Sequence, residues 1–205
     1  MSVAKVAAWV DSADIVIAAD SGMLRVLEAG YVPDVVVGDF DSISIELVSP
    51  ETKTVVDLQQ DDTDCSKLLT YVKSQGYSRV TLICAEGDLS DHFLDTVHCA
   101  VRTDLDVWIG LERGIAHVLS GPIARKLKAK PGARVSMLPL ETVHGAHLSG
   151  VEWPFTDQTL SIRGFTSISN KAVEDEVNVS FQEGSAYLFI ECNDPCWFLD
   201  SFEPE

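Results

Sequence analysis

The chain has 205 residues, with 15 basic against 32 acidic side chains and a formal net charge of −17 at pH 7. Such an excess of negative charge repels polyanions, so we expect neither nucleic acid nor an anionic membrane surface as a partner. The amino-terminal segment lacks a basic stretch followed by an uninterrupted apolar run, which predicts a cytoplasmic protein without a secretory signal or a membrane span.

The first half of the chain alternates between helical and strand-like patterns. Apolar residues at helical spacing predict helices over 3–10, 23–29, about 64–75 and about 91–102. Short apolar runs predict strands over 15–19, 35–37, 54–58, 80–83 and 107–109. Strands and helices that alternate in this way are typical of a parallel α/β sheet. We therefore predict a Rossmann-like α/β domain over residues 1–113.

Beyond Arg113 the pattern changes to short alternating runs separated by turn residues. These runs predict strands over 117–119, 134–138, 159–162, 177–181 and 187–190. Many short strands with turn signals between them are typical of a small antiparallel sandwich or barrel. The second domain is accordingly predicted as an all-β sandwich over residues 114–205.

Acidic residues follow four of the predicted strands in the first half. Asp20 comes directly after the first strand, Asp39 and Asp41 after the second, and Asp64 and Asp91 after the next two. Aspartate is also a common turn and helix-cap residue. Its recurrence favours a shared site, because the carboxyl ends of parallel strands form the crevice where ligands bind. Carboxylates suit Mg²⁺, which completes its shell with water and substrate phosphates, so phosphoryl transfer is the expected chemistry.

Several familiar nucleotide and hydrolase motifs are absent from the sequence. No two of the 13 glycines are two residues apart, and no Gly-Lys pair begins a phosphate-cradling loop. H-E-x-x-H and G-x-S-x-G are missing as well. A phosphoryl-transfer enzyme with this sequence must therefore rely on carboxylates and metal more than on a glycine cradle.

Six short segments follow one another along nearly the whole chain. They are A-A-D-S-G at 18–22 with Arg25, P-D at 33–34 with G-D-F-D-S at 38–42, D-D-T-D at 61–64 with Lys67, D-H at 91–92, S-M-L-P-L at 136–140, and I-S-N at 168–170 with V-N-V at 177–179. Each string is weak alone, but six in the correct order are specific. Together they resemble the thiamine pyrophosphokinase family, also called thiamine diphosphokinase.

The resemblance implies both an architecture and a reaction. Members of the family have an α/β domain followed by a β-sandwich, and they work as homodimers with active sites at the subunit interface. The implied partners are thiamine and ATP. The terminal diphosphate of ATP moves to the hydroxyl of thiamine, which gives thiamine diphosphate and AMP.

The same resemblance assigns roles to the acidic residues. Asp39, Asp41 and Asp64 would hold Mg²⁺ against the phosphates, and Asp20 and Asp91 would complete the acidic wall. Catalysis of this kind depends on positioning and on neutralisation of phosphate charge. Asp91 is our hypothesised acceptor for the hydroxyl proton, because a positioned carboxylate can serve as a base.

Further residues are assigned to the two substrates by the resemblance. Those expected at the nucleotide and its phosphates are Arg25, Thr63, Lys67 and His92. Ser169 and Asn170 would help to seat thiamine.

Thiamine carries a permanent positive charge, and aromatic faces attract such cations. Tyr187 is the best-placed candidate for an aromatic wall, with Trp153 and Trp197 as competitors. Ordinary core or interface packing is the alternative explanation for all three.

Three features depart from the family pattern. The chain opens with a predicted helix where the family has a strand. Leu89 stands where the family has an arginine, which removes a guanidinium able to hold a phosphate with two hydrogen bonds. Arg25, Arg102 or Arg113 could compensate. Leu24 replaces an asparagine near the crevice.

These departures leave other activities open. One is a thiamine-binding or regulatory homologue with weakened catalysis, and another is a diphosphokinase that acts on a different heterocyclic alcohol. A metal-dependent phosphohydrolase fits the acidic edge equally well, but it leaves Ser169, Asn170 and the sandwich domain unexplained.

Overall fold

The computed structural model describes residues 1–20, 22–40, 45–58, 62–87 and 89–192. The chain divides into two compact units, Met1–Leu105 and a second unit that begins at Asp106. The first unit mixes helices with a parallel sheet, and the second contains only strands among its described residues. The predicted fold class, α/β followed by all-β, is therefore confirmed.

Helices and strands alternate through the first unit, as the sequence predicts. Its helices are α1 (Val3–Asp11), α2 (Gly22–Glu28), α3 (Asp64–Ser74) and α4 (Ser90–Arg102), with a 3₁₀ turn at Ile45–Leu47. Its strands are β1 (Ile17–Ala19), β2 (Val35–Gly38), β3 (Lys53–Val56) and β4 (Arg79–Leu82). Within the described residues, no helix is both long and apolar enough to cross a membrane.

β1, β2 and β3 form a three-stranded parallel sheet in that order. The register pairs Ile17 with Val35 and Val35 with Lys53, so β2 is hydrogen-bonded on both sides. All four residues of β2 are buried. A central parallel strand is covered on both faces, and this explains its uninterrupted run of valines.

α3 begins at Asp64 because Thr63 caps it. The Thr63 hydroxyl accepts a hydrogen bond from the backbone N–H of Ser66 at 3.4 Å, which satisfies one of the free donors of the first turn. Leu68 and Val72, one turn apart, are buried and fix the face that the helix turns toward the interior. The first turn of α3 is thereby held in a defined position.

The second unit contains nine strands in the described part of the chain. They are β5 (Asp106–Leu111), β6 (Gly114–Ser120), β7 (Ile123–Lys128), β8 (Arg134–Pro139), β9 (Val143–Ser149), β10 (Phe155–Leu160), β11 (Ser167–Lys171), β12 (Glu176–Phe181) and β13 (Ser185–Glu191). One antiparallel sheet of this unit runs β11-β8-β13-β6-β5, and the other runs β10-β9-β12-β7. β5, β6 and β13 are buried along nearly their whole length. The fully buried side chains of the unit include Phe181, Leu148, Leu160, Met137, Leu188 and Ile190.

The alternation pattern missed β7, β9 and β11. Their sequences are rich in basic, histidine and small polar residues, which hides the strand signal. Each is nevertheless paired in an antiparallel ladder with a better-patterned neighbour, because partner strands can override local preference. The prediction over 159–162 was displaced: the strand is Phe155–Leu160, and Ile162 lies beyond it with 76% exposure.

Candidate active site

Asp20 lies at the carboxyl end of β1 in a tightly fixed turn. Its N–H donates to the carbonyl of Val37 at 3.0 Å, and its own carbonyl accepts from the N–H of Met23 at 3.0 Å. The residue is only 1% exposed, and its φ of +22° is uncommon outside glycine. The turn therefore holds a buried carboxylate at the edge where β1 and β2 end.

Gly38, the last residue of β2, packs directly against this carboxylate. A Cβ atom at position 38 would lie 2.9 Å from Cβ of Asp20 and 3.4 Å from its Cγ. Real Cβ atoms do not approach other atoms so closely, so the contact requires glycine. The carboxyl ends of β1 and β2 are thus in direct contact, and Asp39 follows immediately.

Asp39 pairs with Lys67, whose side chain reaches it from α3. The Nζ of Lys67 lies 3.5 Å from Oδ2 of Asp39, and the two side chains are 3% and 13% exposed. A buried ammonium group is costly to desolvate unless an opposite charge faces it. The motifs place Asp39 at the metal and Lys67 at the phosphates, but nothing in the sequence indicates the contact between the two side chains.

The first turn of α3 gathers three of the predicted site residues. Thr63 caps the helix, Asp64 is exposed in its first turn, and the backbone N–H of Lys67 donates to the carbonyl of Thr63 at 2.9 Å. The Thr63 hydroxyl also lies 3.6 Å from Sγ of Cys99 on α4. The amino-terminal end of α3 therefore provides both the positive end of the helix dipole and the side chain of Lys67.

Two thiols lie near the start of α3, that of Cys99 buried and that of Cys65 partly buried. Burial raises the pKa of Cys65 to about 12, and the neighbouring Cys99 adds to the shift. Burial also raises the pKa of Cys99, against the opposing hydrogen bond with Thr63. Both thiols are protonated at neutral pH and pack as small apolar groups, which excludes them as thiolate nucleophiles there. The contact between Cys65 on α3 and Cys99 on α4 has no signal in the sequence.

Asp91 and His92 lie exposed in the first turn of α4. Leu89 occupies the cap position of this helix without a side-chain cap hydrogen bond, and it is 56% exposed. Arg25 is also exposed and forms a surface ion pair with Glu28 on its own helix, at 3.0 Å. Arg25 and His92, both predicted at the nucleotide, are therefore on the surface of the first unit, whereas Lys67 is buried.

Asp41 falls outside the described residues, as does Trp197. Across the parts of the chain that the structure describes, no group of three or more His, Cys, Asp or Glu side chains is close enough to hold a metal ion. The three-carboxylate site of Asp39, Asp41 and Asp64 accordingly stays a prediction.

In the second unit, Ser169 lies at an irregularity of the β11–β8 ladder. The register shifts between Ser167 and Asn170, and Ser169 adopts a φ of +56°. Its N–H donates to the hydroxyl of Ser136 at 2.9 Å. Bulges of this kind redirect side chains at functional sites, and Ser169 is exposed here.

Asn170 and Tyr187 have different surroundings from Ser169. Asn170 is only 3% exposed and hydrogen-bonds to both backbone groups of Trp153. Tyr187 is half-buried in β13, where it pairs with Val118 on one side and Leu138 on the other. Their predicted roles in seating thiamine stay predictions.

Comparison with known proteins places the chain in a family. A model described as the catalytic domain of thiamin pyrophosphokinase matches residues 6–109, and one described as its vitamin B1 binding domain matches residues 123–186. The chain belongs to the thiamine pyrophosphokinase family. This confirms the resemblance, and it makes the chain a member of a family of diphosphate-transferring enzymes.

Thiamine pyrophosphokinases of known sequence and structure match most of the chain. The protein of that name from Bacillus subtilis (strain 168) is 24% identical over 187 residues, which cover 86% of each chain. A crystal structure of thiamine pyrophosphokinase from B. subtilis matches with a TM-score of 0.76 at 22% identity, covering 86% of this chain and 87% of the other. That from Geobacillus thermodenitrificans gives 0.74 at 25% identity over 88% and 87%.

The donor atoms at the thiamine pyrophosphokinase site are of the kind that Mg²⁺ binds. Mg²⁺ takes oxygen ligands and is commonly held by one or two carboxylates, with water and phosphate completing its shell. Asp39, at the end of β2, and Asp64, at the start of α3, each contribute a carboxylate. Neither cysteine nor histidine ligands are needed, so the residues present fit this ion.

Proposed function

We propose that this protein is a magnesium-dependent thiamine diphosphokinase, which transfers the terminal diphosphate of ATP to the hydroxyl of thiamine and releases AMP. The observation that carries the proposal is the match of both family models, in order, to one chain. The geometry at the carboxyl ends of β1 and β2 supports it, because buried charged groups are concentrated there.

In this proposal the first turn of α3 receives the phosphates. Thr63 and backbone N–H groups of that turn would donate hydrogen bonds, and the helix dipole favours negative charge. Lys67 adds a positive charge, and its Nζ faces the Asp39 carboxylate at 3.5 Å. Arg25 and His92 would contact the rest of the nucleotide.

Asp39, Asp41 and Asp64 would hold Mg²⁺, which when bound neutralises phosphate charge. Asp20, buried against Gly38, fixes the shape of the acidic wall and adds to its negative field. Asp91, exposed on α4, would accept the proton of the thiamine hydroxyl as the new bond to phosphorus forms.

Ser169, Asn170 and an aromatic side chain would seat thiamine in the second unit. We assign the catalytic domain to residues 1–113 and the thiamine-binding domain to residues 114–205. A cytoplasmic homodimer is part of the proposal, on the strength of the family resemblance. Light scattering tests this part of the proposal, because a homodimer has a mass of twice 22.4 kDa.

The experiment is to measure AMP formed from ATP while Mg²⁺ and thiamine are each left out in turn. The proposal predicts AMP only when both are present. No AMP above background at saturating concentrations of each would contradict it. If calorimetry then detects thiamine binding without magnesium-dependent nucleotide binding, the weakened homologue is the better description. AMP formation with another heterocyclic alcohol but not with thiamine favours a diphosphokinase of different specificity.

A further inference from the structure

The hydroxyl of Thr63 contacts groups on two helices. It accepts a hydrogen bond from the backbone N–H of Ser66 on α3 at 3.4 Å, and it lies 3.6 Å from Sγ of Cys99 on α4. Cys99 is only 4% exposed, whereas Thr63 is exposed at the start of α3. The first residue of the proposed phosphate-binding turn is therefore attached to a buried atom of the neighbouring helix.

Asp95 determines the direction of the contact between Thr63 and Cys99. It lies one turn before Cys99 on α4, and its Oδ2 accepts a hydrogen bond from the Cys99 thiol at 3.6 Å. An ionised carboxylate only accepts hydrogen bonds, and a thiol has a single proton to donate. Because that proton is directed at Asp95, the sulfur acts as an acceptor toward Thr63. The Thr63 hydroxyl is therefore the donor in its contact with Cys99.

The pKa of Cys99 agrees with this direction. Burial raises the pKa of the thiol, and the hydrogen bond with Thr63 lowers it. A donor directed at sulfur favours the thiolate over the thiol, which is the direction of the Thr63 effect.

The single proton of the Thr63 hydroxyl is thus directed into the protein. The same oxygen accepts from Ser66, so the side chain both caps α3 and joins it to α4. A hydroxyl has only one proton to donate. The backbone N–H groups of the first turn, rather than the Thr63 side chain, are then the donors for a phosphate group.

The face of α4 that contacts Thr63 also carries a predicted catalytic group. Asp91, Asp95 and Cys99 follow one another at intervals of four residues within α4, which puts them in a row along one face of the helix. Cys99 is buried and Asp91 is exposed in the first turn. The Thr63–Cys99 contact therefore holds the start of α3 against the helix that carries the proposed proton acceptor.

We propose that Cys99 is a positioning residue for the nucleotide, which acts through Thr63 by holding the first turn of α3 in place. The proposal rests on the proposed function, in which that turn receives the phosphates of ATP. Backbone N–H groups bind a phosphate well when they are held in a fixed, convergent arrangement. The motif marks Thr63 as a residue at the phosphates, and the structure assigns its hydroxyl to a contact within the protein.

The first test compares Cys99→Ala with Cys99→Ser in AMP-forming assays. We expect Cys99→Ala to raise KM for ATP threefold to tenfold, roughly the effect of losing one hydrogen bond, while KM for thiamine stays within about twofold. Cys99→Ser keeps a hydrogen-bonding group and should restore most of the loss, which a purely packing role would not do.

Cys65→Ala is the matched control for Cys99→Ala. It removes the neighbouring thiol on α3, and KM for ATP should stay within about twofold of the wild type. A rise of less than threefold in Cys99→Ala, or an equal rise in Cys65→Ala, would overturn the positioning role.

The second test asks whether Cys99 acts through Thr63. Thr63→Val removes the hydroxyl and keeps the shape of the side chain, and it is expected to raise KM for ATP at least as much as Cys99→Ala. In the double variant the two effects should not add, because both remove the same contact. Additive effects would show that Cys99 acts independently of Thr63 and would overturn the proposal. Thr63→Gly, which is well tolerated at a helix cap, repeats the cycle if Thr63→Val does not fold.

Nucleotide binding gives a readout that does not depend on turnover. Calorimetry with Mg²⁺ and a non-hydrolysable ATP analogue should show threefold to tenfold weaker binding to Cys99→Ala than to the wild type. If this difference is found but the wild type forms no AMP, the proposed catalysis fails and the positioning role stands. AMP formation together with equal affinity of the two proteins for the analogue overturns only the positioning role. A wild type that neither binds the analogue nor forms AMP overturns both.

Discussion

Gly38 shows how one small residue determines the geometry of the proposed site. The Cα of Gly38 is close to the side chain of Asp20 because the carboxyl ends of two parallel strands meet at that point. Added bulk cannot be absorbed by a flexible side-chain tip, since the nearest atoms are Cβ, Cγ and Cα of Asp20, at 2.9, 3.4 and 3.5 Å from the added Cβ. The carboxylate of Asp20 and the neighbouring backbone of Asp39 must shift instead.

We therefore expect Gly38→Ala to lower kcat for diphosphate transfer about tenfold or more, because misplacement by less than an ångström weakens a positioned charge cluster. Steady-state AMP formation measures the effect. Gly87→Ala is the control, since a Cβ at that position would meet nothing within 4 Å and its φ is not positive. Equal activity of the two variants would argue against a role for the Asp20–Gly38 contact.

At the scale of elements, α3 carries two lysines in contrasting environments. Lys67 is buried and pairs with Asp39 at 3.5 Å, whereas Lys73 is exposed and pairs with Asp104 at 2.6 Å. The hydrogen bond from Lys73 lowers the pKa of Asp104 below its usual range. By distance alone the Lys73–Asp104 pair would be the stronger ion pair. Solvent, however, screens an exposed ion pair much more than a buried one.

Lys67→Met should destabilise the protein by about 2–4 kcal/mol, because it removes the ammonium group that faces the largely buried Asp39 carboxylate. Lys73→Met, on the same helix, should leave the unfolding midpoint nearly unchanged. Urea unfolding of both variants near pH 7 measures the difference. If the exposed pair proved the more important for stability, burial would not be what gives the Lys67–Asp39 contact its strength.

The contact between α3 and α4 predicts a loss of stability in alkali. Burial raises the pKa of Cys65 from 9.0 to about 12, so the folded state favours the protonated thiol. This contribution is fully present below pH 9 and is lost as pH rises toward 12, by up to about 4 kcal/mol at the full shift. Cys65→Ala lacks the titration. Its unfolding free energy, compared with that of the wild type from pH 8 to 11, should therefore fall less steeply, and parallel curves would contradict the assignment.

At the scale of the whole molecule, the sequence predicts the features that depend on the periodicity of apolar residues and on the order of motifs along the chain. The valine run of β2 and the helical spacing of α3 are local patterns, and the structure has both where they were predicted. β7, β9 and β11 were missed because their strand character comes from partners distant in sequence. The order of the motifs identified the family, because six segments that resemble it follow one another in the correct order within one chain.

The sequence alone did not predict contacts between side chains that are far apart along the chain. The Lys67–Asp39 pair joins residues 28 apart, and the Asn170–Trp153 bonds join residues 17 apart. Nothing in either segment alone specifies its partner. The motif marks Asn170 as important, but only its buried position shows that its amide is committed to the backbone of Trp153.

The net charge of −17 bears on how the whole molecule handles its substrate. ATP, the donor in the proposed function, is itself a polyanion, so the overall field of the protein opposes its approach. In that proposal, binding would depend on local groups that overcome this field, namely the first turn of α3, Lys67 and a divalent cation. Nucleotide affinity should accordingly require Mg²⁺.

The most direct test follows the diphosphate itself. ATP labelled at its β-phosphate is incubated with thiamine, Mg²⁺ and the protein, and the products are separated. Transfer of an intact diphosphate predicts that the label appears in thiamine diphosphate in a one-to-one ratio with AMP. Label found in ADP, or in free diphosphate without thiamine diphosphate, would contradict the account.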